Sequence, residues 1–282
     1  MDRFSAAVIQ MASTADVNTN LDQAEALVVD AAEGGAKLAV LPEFFASLYF
    51  PNQQREEAFE LAAPLDRHPV LKRMQRLAAA HDVLLPVTVF ERDGPHYFDT
   101  LAVVERDGSL VHVHRKAHIP DGPGYQEKYY FRPGATPIKA VSTSLGRLGF
   151  AVCWEQWFPE VARLLTLSGA DAIFYPSTIG SEPEEVGAID TQPLWTRAMV
   201  GHAVVNSVYV VASNRVGVEA DASYYGGSFV ADPYGELAVV ADASPGVWQT
   251  ELDLAWARRN RAGFGWFRDR RPELYGGLTE TP

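Results

Sequence analysis

The chain has 282 residues, 47% of them hydrophobic and 21% charged, with a mean hydropathy of −0.09, which is the composition of an ordinary globular protein. Its 24 Lys and Arg against 36 Asp and Glu give a formal net charge of −12, which repels phosphate backbones and anionic lipid and argues against nucleic-acid and membrane-surface partners. A single cysteine excludes an intrachain disulfide and a zinc–thiolate cluster.

From the N-terminus, residues 6–10 read as a first strand. The apolar run from Phe4 to Met11, interrupted by Gln10, is too short and too polar for a secretory leader. With the lone cysteine it predicts a cytoplasmic protein. A helix over 20–33 ends at Gly34-Gly35, and a strand follows over 38–41. Helical patterning covers 53–61 and 69–81, then strands are predicted over 83–90, 97–105 and 110–115. The second half has a similar rhythm: strands over 149–153, 172–175 and 208–213, separated by helices over 159–168 and 194–206. Strands over 227–231, 237–240 and 248–252 close the chain, with Pro233-Tyr234-Gly235 turning between the first two. No linker, repeat or apolar run of the roughly 18–20 residues needed to span a bilayer interrupts this order, so one domain is predicted over 1–282. Strands spaced by helices early in each half and by turns late in each half imply an α+β fold of two mixed sheets with helices outside.

Three strand ends carry candidate chemistry. Cys153 lies in Val152-Cys153-Trp154-Glu155-Gln156-Trp157-Phe158-Pro159, an apolar strand running into a helix with proline in its first turn. A thiol facing that positive helix end is favoured as thiolate, and the turn offers N–H groups to an oxyanion; the plain alternative is a buried core cysteine. Glu43, in Leu41-Pro42-Glu43-Phe44, is a carboxylate among apolar neighbours, suited to general acid–base work or simply to a helix N-terminus. Lys116 ends a strand before the loop Asp121-Gly122-Pro123-Gly124; it could stabilise an anion or be a solvated surface lysine. The three are far apart in sequence, so only the fold can unite them.

Together the three segments resemble the nitrilase, or carbon–nitrogen hydrolase, superfamily with its Glu–Lys–Cys triad. The resemblance extends over almost the whole chain through Glu127 in Tyr125-Gln126-Glu127-Lys128, Asn214-Arg215 and Gly226-Gly227-Ser228. The segments over 118–128 and 153–160, with Phe267-Arg268-Asp269-Arg270-Arg271-Pro272, are similar to its N-carbamoylputrescine amidase branch. The resemblance implies a four-layer αββα sandwich, paired into a homodimer or higher homo-oligomer with the segment over about 255–282 at the interface, and no metal or organic cofactor. It further implies that Glu43 acts as base, Cys153 as nucleophile, and Lys116 with the Trp154 backbone N–H as oxyanion donors, while Glu127 orients Lys116.

Related enzymes acting on carboxylate substrates carry arginines just after the cysteine, where this chain has Gln156 and Trp157. That favours a neutral or cationic small-molecule substrate, whose amine would need an acid or a ring face. Asp121, Glu155 and Glu182 are the candidate acids, with Tyr125 and Ser177 as further substrate contacts. The chain departs from the branch at Glu155, commonly Asp, and at Ala46-Ser47-Leu48, commonly Glu-Gly-Tyr, which leaves tail length open. Hydrolysis of another N-carbamoyl amine or aliphatic amide is the nearest alternative. Rivals of other classes are metal hydrolysis through His112, His114 and His118, a Cys–His pair using His118 or His202, and a non-catalytic binding protein on this fold.

Overall fold

In the computed structural model, which describes residues 1–181, 189–219 and 222–280, the first half folds as β1 (Arg3–Gln10), α1 (Val17–Glu33), β2 (Ala36–Val40), α2 (Pro69–His81), β3 (Leu85–Asp93), β4 (His96–Val104) and β5 (Leu110–Arg115). Alternation along these strands decides the layering. Phe4, Ala6 and Val8 of β1, Leu38 and Val40 of β2, and Leu101 and Val103 of β4 enter one buried cluster. Their neighbours Ala7, Ile9, Ala39, Ala102 and Val104 enter another, because successive strand side chains point to opposite faces. The second cluster is completed by Leu21, Ala24 and Val28 of α1 and Leu71, Met74 and Leu77 of α2, so this sheet is covered outside by helices. Burying each such side chain stabilises the fold by roughly 1.5–3 kcal/mol.

The second half supplies β6 (Val141–Thr143), β7 (Gly146–Phe150), α3 (Pro159–Leu167), β8 (Ala172–Pro176), α4 (Gln192–Asn206), β9 (Tyr209–Ser213), β10 (Val216–Glu219), β11 (Ala222–Tyr225), β12 (Phe229–Ala231), β13 (Leu237–Val240), β14 (Gly246–Asp253) and α5 (Leu254–Phe264). Its main sheet has the order β13-β12-β9-β8-β7-β6, with β7, β8 and β9 parallel. The opposing layer runs β14-β1-β2 and then β3-β4-β5, stitched where Leu38 and Leu84 bridge. Leu148, Phe150 and Phe174 meet the inner face of that layer, while Val161, Leu165, Trp195 and Met199 from α3 and α4 cover the outside. The result is the expected αββα sandwich. Among the described residues no helix is long and apolar enough to cross a membrane.

The structure departs from the sequence reading where pattern was thin. Residues 53–61 form no α-helix; short 3-10 turns occupy Phe50–Asn52 and Glu56–Leu61. Of the second turn only Ala58 is buried, so there is no apolar stripe to back a longer helix. The predicted strand over 149–153 ends at Phe150, and Cys153 opens a separate 3-10 turn, Cys153–Trp157, ahead of α3. β6, β10, β11 and α5 were not foreseen. The Arg-rich α5 buries only Leu254, Ala257 and Asn260 and is started by Asp253, whose carboxylate accepts the Trp256 N–H at 2.8 Å.

Candidate active site

The parallel strands of both sheets end on one side, and the chain leaving each end carries polar groups inward, the usual place for a site in such sheets. Glu43 lies three residues past β2. Its N–H donates to the Ser177 carbonyl (3.2 Å), and its own carbonyl accepts from Thr178 Oγ1 (2.8 Å) and Arg215 Nη2 (3.1 Å). Arg215 also donates to the Phe44 carbonyl at 2.9 Å, holding Phe44 at φ 50°, a left-handed conformation that costs a bulky residue energy. Lys116 directly follows β5, and its N–H donates to the Asp99 carbonyl at 2.9 Å. The chain passes so close behind it that a Cβ on Gly134 would lie 2.1 Å from the Arg115 carbonyl oxygen. Cys153 is likewise left-handed, at φ 40°, and its Sγ lies 3.9 Å from the Thr178 carbonyl.

Three buried carboxyl groups converge on one ammonium. Lys116 Nζ is 2.8 Å from Glu43 Oε1, 2.7 Å from Glu127 Oε2 and 3.2 Å from Asp99 Oδ2. The Tyr49 hydroxyl donates to Glu127 Oε1 at 2.6 Å. Burial alone would lower the Lys116 ammonium, but Glu127, Glu43 and Asp99 outweigh it and raise its pKa well above the usual lysine value. Burial pushes Glu127 up to about 7 against the pull of Lys116. The same burial, with Glu43 and Glu127 nearby, raises Asp99 well above the carboxylate range. Cys153 is also pushed well above its ordinary value, by burial and then by the Glu43 carboxylate, with Lys116 acting the other way. The expectation of a thiolate favoured by a helix end is therefore corrected. α3 begins six residues beyond the thiol, and desolvation beats any dipole.

The substrate-contact candidates scatter. Trp154 is 40% exposed, with its N–H in the first turn, where such groups lack intrahelical partners. Tyr125 is half-buried beside Tyr49, and its hydroxyl accepts the Gly180 N–H at 3.2 Å. Ser177 is buried, donating to Gln156 Oε1 at 3.3 Å. Asp121 is exposed on the surface loop, and Glu182 lies outside the described residues.

Glu155 is no amine ligand. It is wholly buried, accepting from the Val152 N–H (2.8 Å), the Ala117 N–H (2.9 Å) and His114 Nε2 (2.8 Å). Its carboxylate thus ties the residue before Cys153 to the residue after Lys116. The rival histidines are engaged as well: His114 with Glu155, His118 stacked on Phe158 at 3.9 Å, and His202 on the Gln156 carbonyl at 2.9 Å. Sequence reasoning missed Asp99, Tyr49, Thr178 and Arg215. Of these only Arg215, a cation two residues past β9, stood inside a family motif.

Burial would raise the Glu155 carboxyl, but the His114 and Val152 hydrogen bonds hold it well below the carboxylate range. A depressed carboxyl adds stability that is fully present above its ordinary value, 4.5, and is lost as pH falls below that toward the folded value. Glu155→Gln is accordingly expected to cost about 2–4 kcal/mol at pH 7, with the deficit shrinking below pH ~4.5. Its kcat should fall roughly tenfold or more as the two loops loosen. Urea melts across pH, with kcat at pH 7, check this; a deficit that grows in acid would contradict it.

An αββα sandwich with thiol, ammonium and carboxylates gathered at its strand ends defines the class, a hydrolase of the nitrilase fold. The chain belongs to the carbon–nitrogen hydrolase family, whose model matches residues 5–262. It is 45% identical over 278 residues to an N-carbamoylputrescine amidase of Solanum lycopersicum, covering 95% of this chain and 92% of that protein. A citrullinase of Francisella tularensis is 42% identical over 280 residues, covering 98% of each. The crystal structure of a carbon–nitrogen hydrolase from Helicobacter pylori G27 matches with a TM-score of 0.93 at 33% identity, covering 99% of both chains.

Proposed function

We propose that the chain hydrolyses the carbamoyl C–N bond of an N-carbamoyl amine, with N-carbamoylputrescine the favoured substrate and putrescine, carbon dioxide and ammonia the products. The observation that carries this reading is the wholly buried Lys116–Glu43 pair at 2.8 Å, which shares its electrostatic environment with Cys153. Because the resting thiol is neutral, a base must take its proton as sulfur attacks, and Glu43 is that base. The oxyanion forms beside the Lys116 ammonium and the Trp154 N–H. Glu43 returns the proton to the departing ammonia, leaving an N-alkyl thiocarbamate on Sγ. Glu43 then activates water, which releases the carbamate that decays to amine and carbon dioxide. Glu127, bidentate on Lys116 at 2.7 and 2.9 Å, orients the ammonium.

Two of the similar proteins share this chemistry in their names, an N-carbamoylputrescine amidase and a citrullinase; their substrates have the same carbamoylated alkylamine end and differ by a carboxylate. The acidic net charge of −12 supports the cationic tail. The exposed apolar residues Phe264, Leu274 and Leu278 near the C-terminus support pairing of two copies through this segment, and the lone buried cysteine supports a cytoplasmic setting.

Ammonia release from N-carbamoylputrescine, L-citrulline, N-carbamoyl-β-alanine and a simple aliphatic amide tests the reading. Turnover of the first, at least about tenfold above the others in kcat/KM, is expected if a carboxylate on the tail meets no countercharge. Preferred turnover of N-carbamoyl-β-alanine would keep the chemistry and overturn the tail.

A further inference from the structure

We propose that Asp99 is a neutral carboxylic acid that donates its proton to Glu43 Oε2, and so is a positioning residue for the base. The inference rests on the reading of Glu43 as that base. Asp99 lies in β4 directly across from Lys116: Thr100 pairs with Arg115 in the ladder, and the Asp99 carbonyl accepts the Lys116 N–H at 2.9 Å. Strand alternation sends its side chain to the same inner face as Leu101 and Val103. There it sits with no exposed surface, 3.2 Å from Lys116 Nζ and close enough to the Glu43 carboxyl to be raised by it.

Three carboxyl groups, of Glu43, Asp99 and Glu127, crowd one ammonium. Among the described residues, the other groups facing the cluster, the Tyr49 hydroxyl and the Cys153 thiol, are neutral, and the Arg215 guanidinium behind the Glu43 carbonyl is matched by its own partner Glu219. Full ionisation would leave two uncompensated buried negative charges, which a protein interior resolves by taking up protons. The unpaired atoms say where one goes. Glu43 Oε2, Asp99 Oδ1 and Asp99 Oδ2 are all buried and lack a hydrogen-bond partner among the described residues. Two carboxylates cannot satisfy each other, because both only accept. One proton between Asp99 and Glu43 Oε2 turns that repulsion into a charge-assisted hydrogen bond and leaves further lone pairs on Glu43 for the thiol proton. The direction of the Asp99 shift, upward through burial, agrees. Asp99 is the member of the pair that keeps the proton, since Glu43 holds the closer contact with Lys116, at 2.8 Å.

An asparagine amide is a neutral isostere of a carboxylic acid, with an N–H that can donate to Glu43 Oε2 and a carbonyl that can only accept, so it separates this from an ionised Asp99. Asp99→Asn is expected to stay within about threefold of wild type in kcat, while Asp99→Ala, which leaves Glu43 Oε2 unpaired, falls roughly 10–100-fold. The wild-type minus Asp99→Asn infrared difference spectrum should show the C=O stretch of a protonated carboxyl. The proposal is overturned if Asp99→Asn falls as far as Asp99→Ala, if Asp99→Ala keeps full activity, or if the difference spectrum shows an ionised carboxylate instead. Asp99→Asn and the spectrum decide the matter should Asp99→Ala not fold. Alkylation of Cys153 by iodoacetamide follows the same base without any substrate. If every carbamoyl compound is inert while Asp99→Asn alkylates like wild type and Asp99→Ala slowly, the substrate reading fails and this inference stands.

Discussion

Replacing Cys153 with alanine is expected to lower kcat for ammonia release on the order of 10⁴-fold or more, while the protein stays folded. Covalent attack on the carbamoyl carbon needs the sulfur, and His114, His118 and His202 are bound elsewhere, so none stands ready to replace it. The fold loses little, because alanine can adopt the same left-handed backbone as Cys153, at φ 40°, with a strain similar to that of cysteine. One sulfur removed from a buried site costs about 1 kcal/mol, or roughly 2–4 °C in Tm for a chain of this size. Cys153→Ser should fare little better, since a hydroxyl is far less acidic than a thiol and a carboxylate such as Glu43 is a weak base for it. The measurements are ammonia release, a thermal melt, and a mass spectrum of enzyme quenched during turnover, where the wild type alone should carry the thiocarbamate. Ammonia release by Cys153→Ala at more than about a hundredth of the wild-type rate would remove the nucleophile from the mechanism.

What the sequence made legible was periodicity. α2 (Pro69–His81) and β5 (Leu110–Arg115) have the predicted bounds because a proline start, an apolar stripe or strict alternation marked them. The Glu43, Lys116 and Cys153 segments could be singled out because each lies at or just past the end of a predicted strand. Partners were not legible. Glu155 reads along the chain as an acid beside the nucleophile, yet its bonds go to His114, 41 residues away, and to Ala117, 38 away. Asp99, between Phe98 and Thr100, looks like an outward polar residue of a half-exposed strand. Only the register that sets it across from Lys116 shows that its side chain is inside. α5 stayed hidden because its apolar stripe is short and interrupted by arginines, a pattern typical of exposed chain.

Removing the Lys116 charge should damage stability and catalysis together, with opposite consequences for the choice of pH. Lys116→Met deletes an oxyanion donor, a loss on the order of 10²–10³ in kcat. It also strands Glu43 and Glu127 in a buried site without their cation, at a cost of about 3–5 kcal/mol near pH 7. The sign of the pH effect follows from the carboxyl groups. The folded pKa of Glu127 is already about 7, against an ordinary value of 4.5, and losing Lys116, which pulls it down, would push it higher. A carboxyl raised on folding binds more protons in the native than in the unfolded state, so stability falls as pH rises between the two values. In wild type the raised Lys116 opposes this, and its contribution persists until pH rises above the ordinary lysine value of 10.5 toward the higher folded one. The variant's deficit should therefore be largest near pH 8 and shrink toward pH 5, where Glu127 is neutral, even though kcat does not recover. Melts of both proteins from pH 5 to 8 measure this directly. A deficit that is flat or deepens in acid would mean that Lys116 is not balancing buried carboxylates, and the electrostatic account of the site would fall with it.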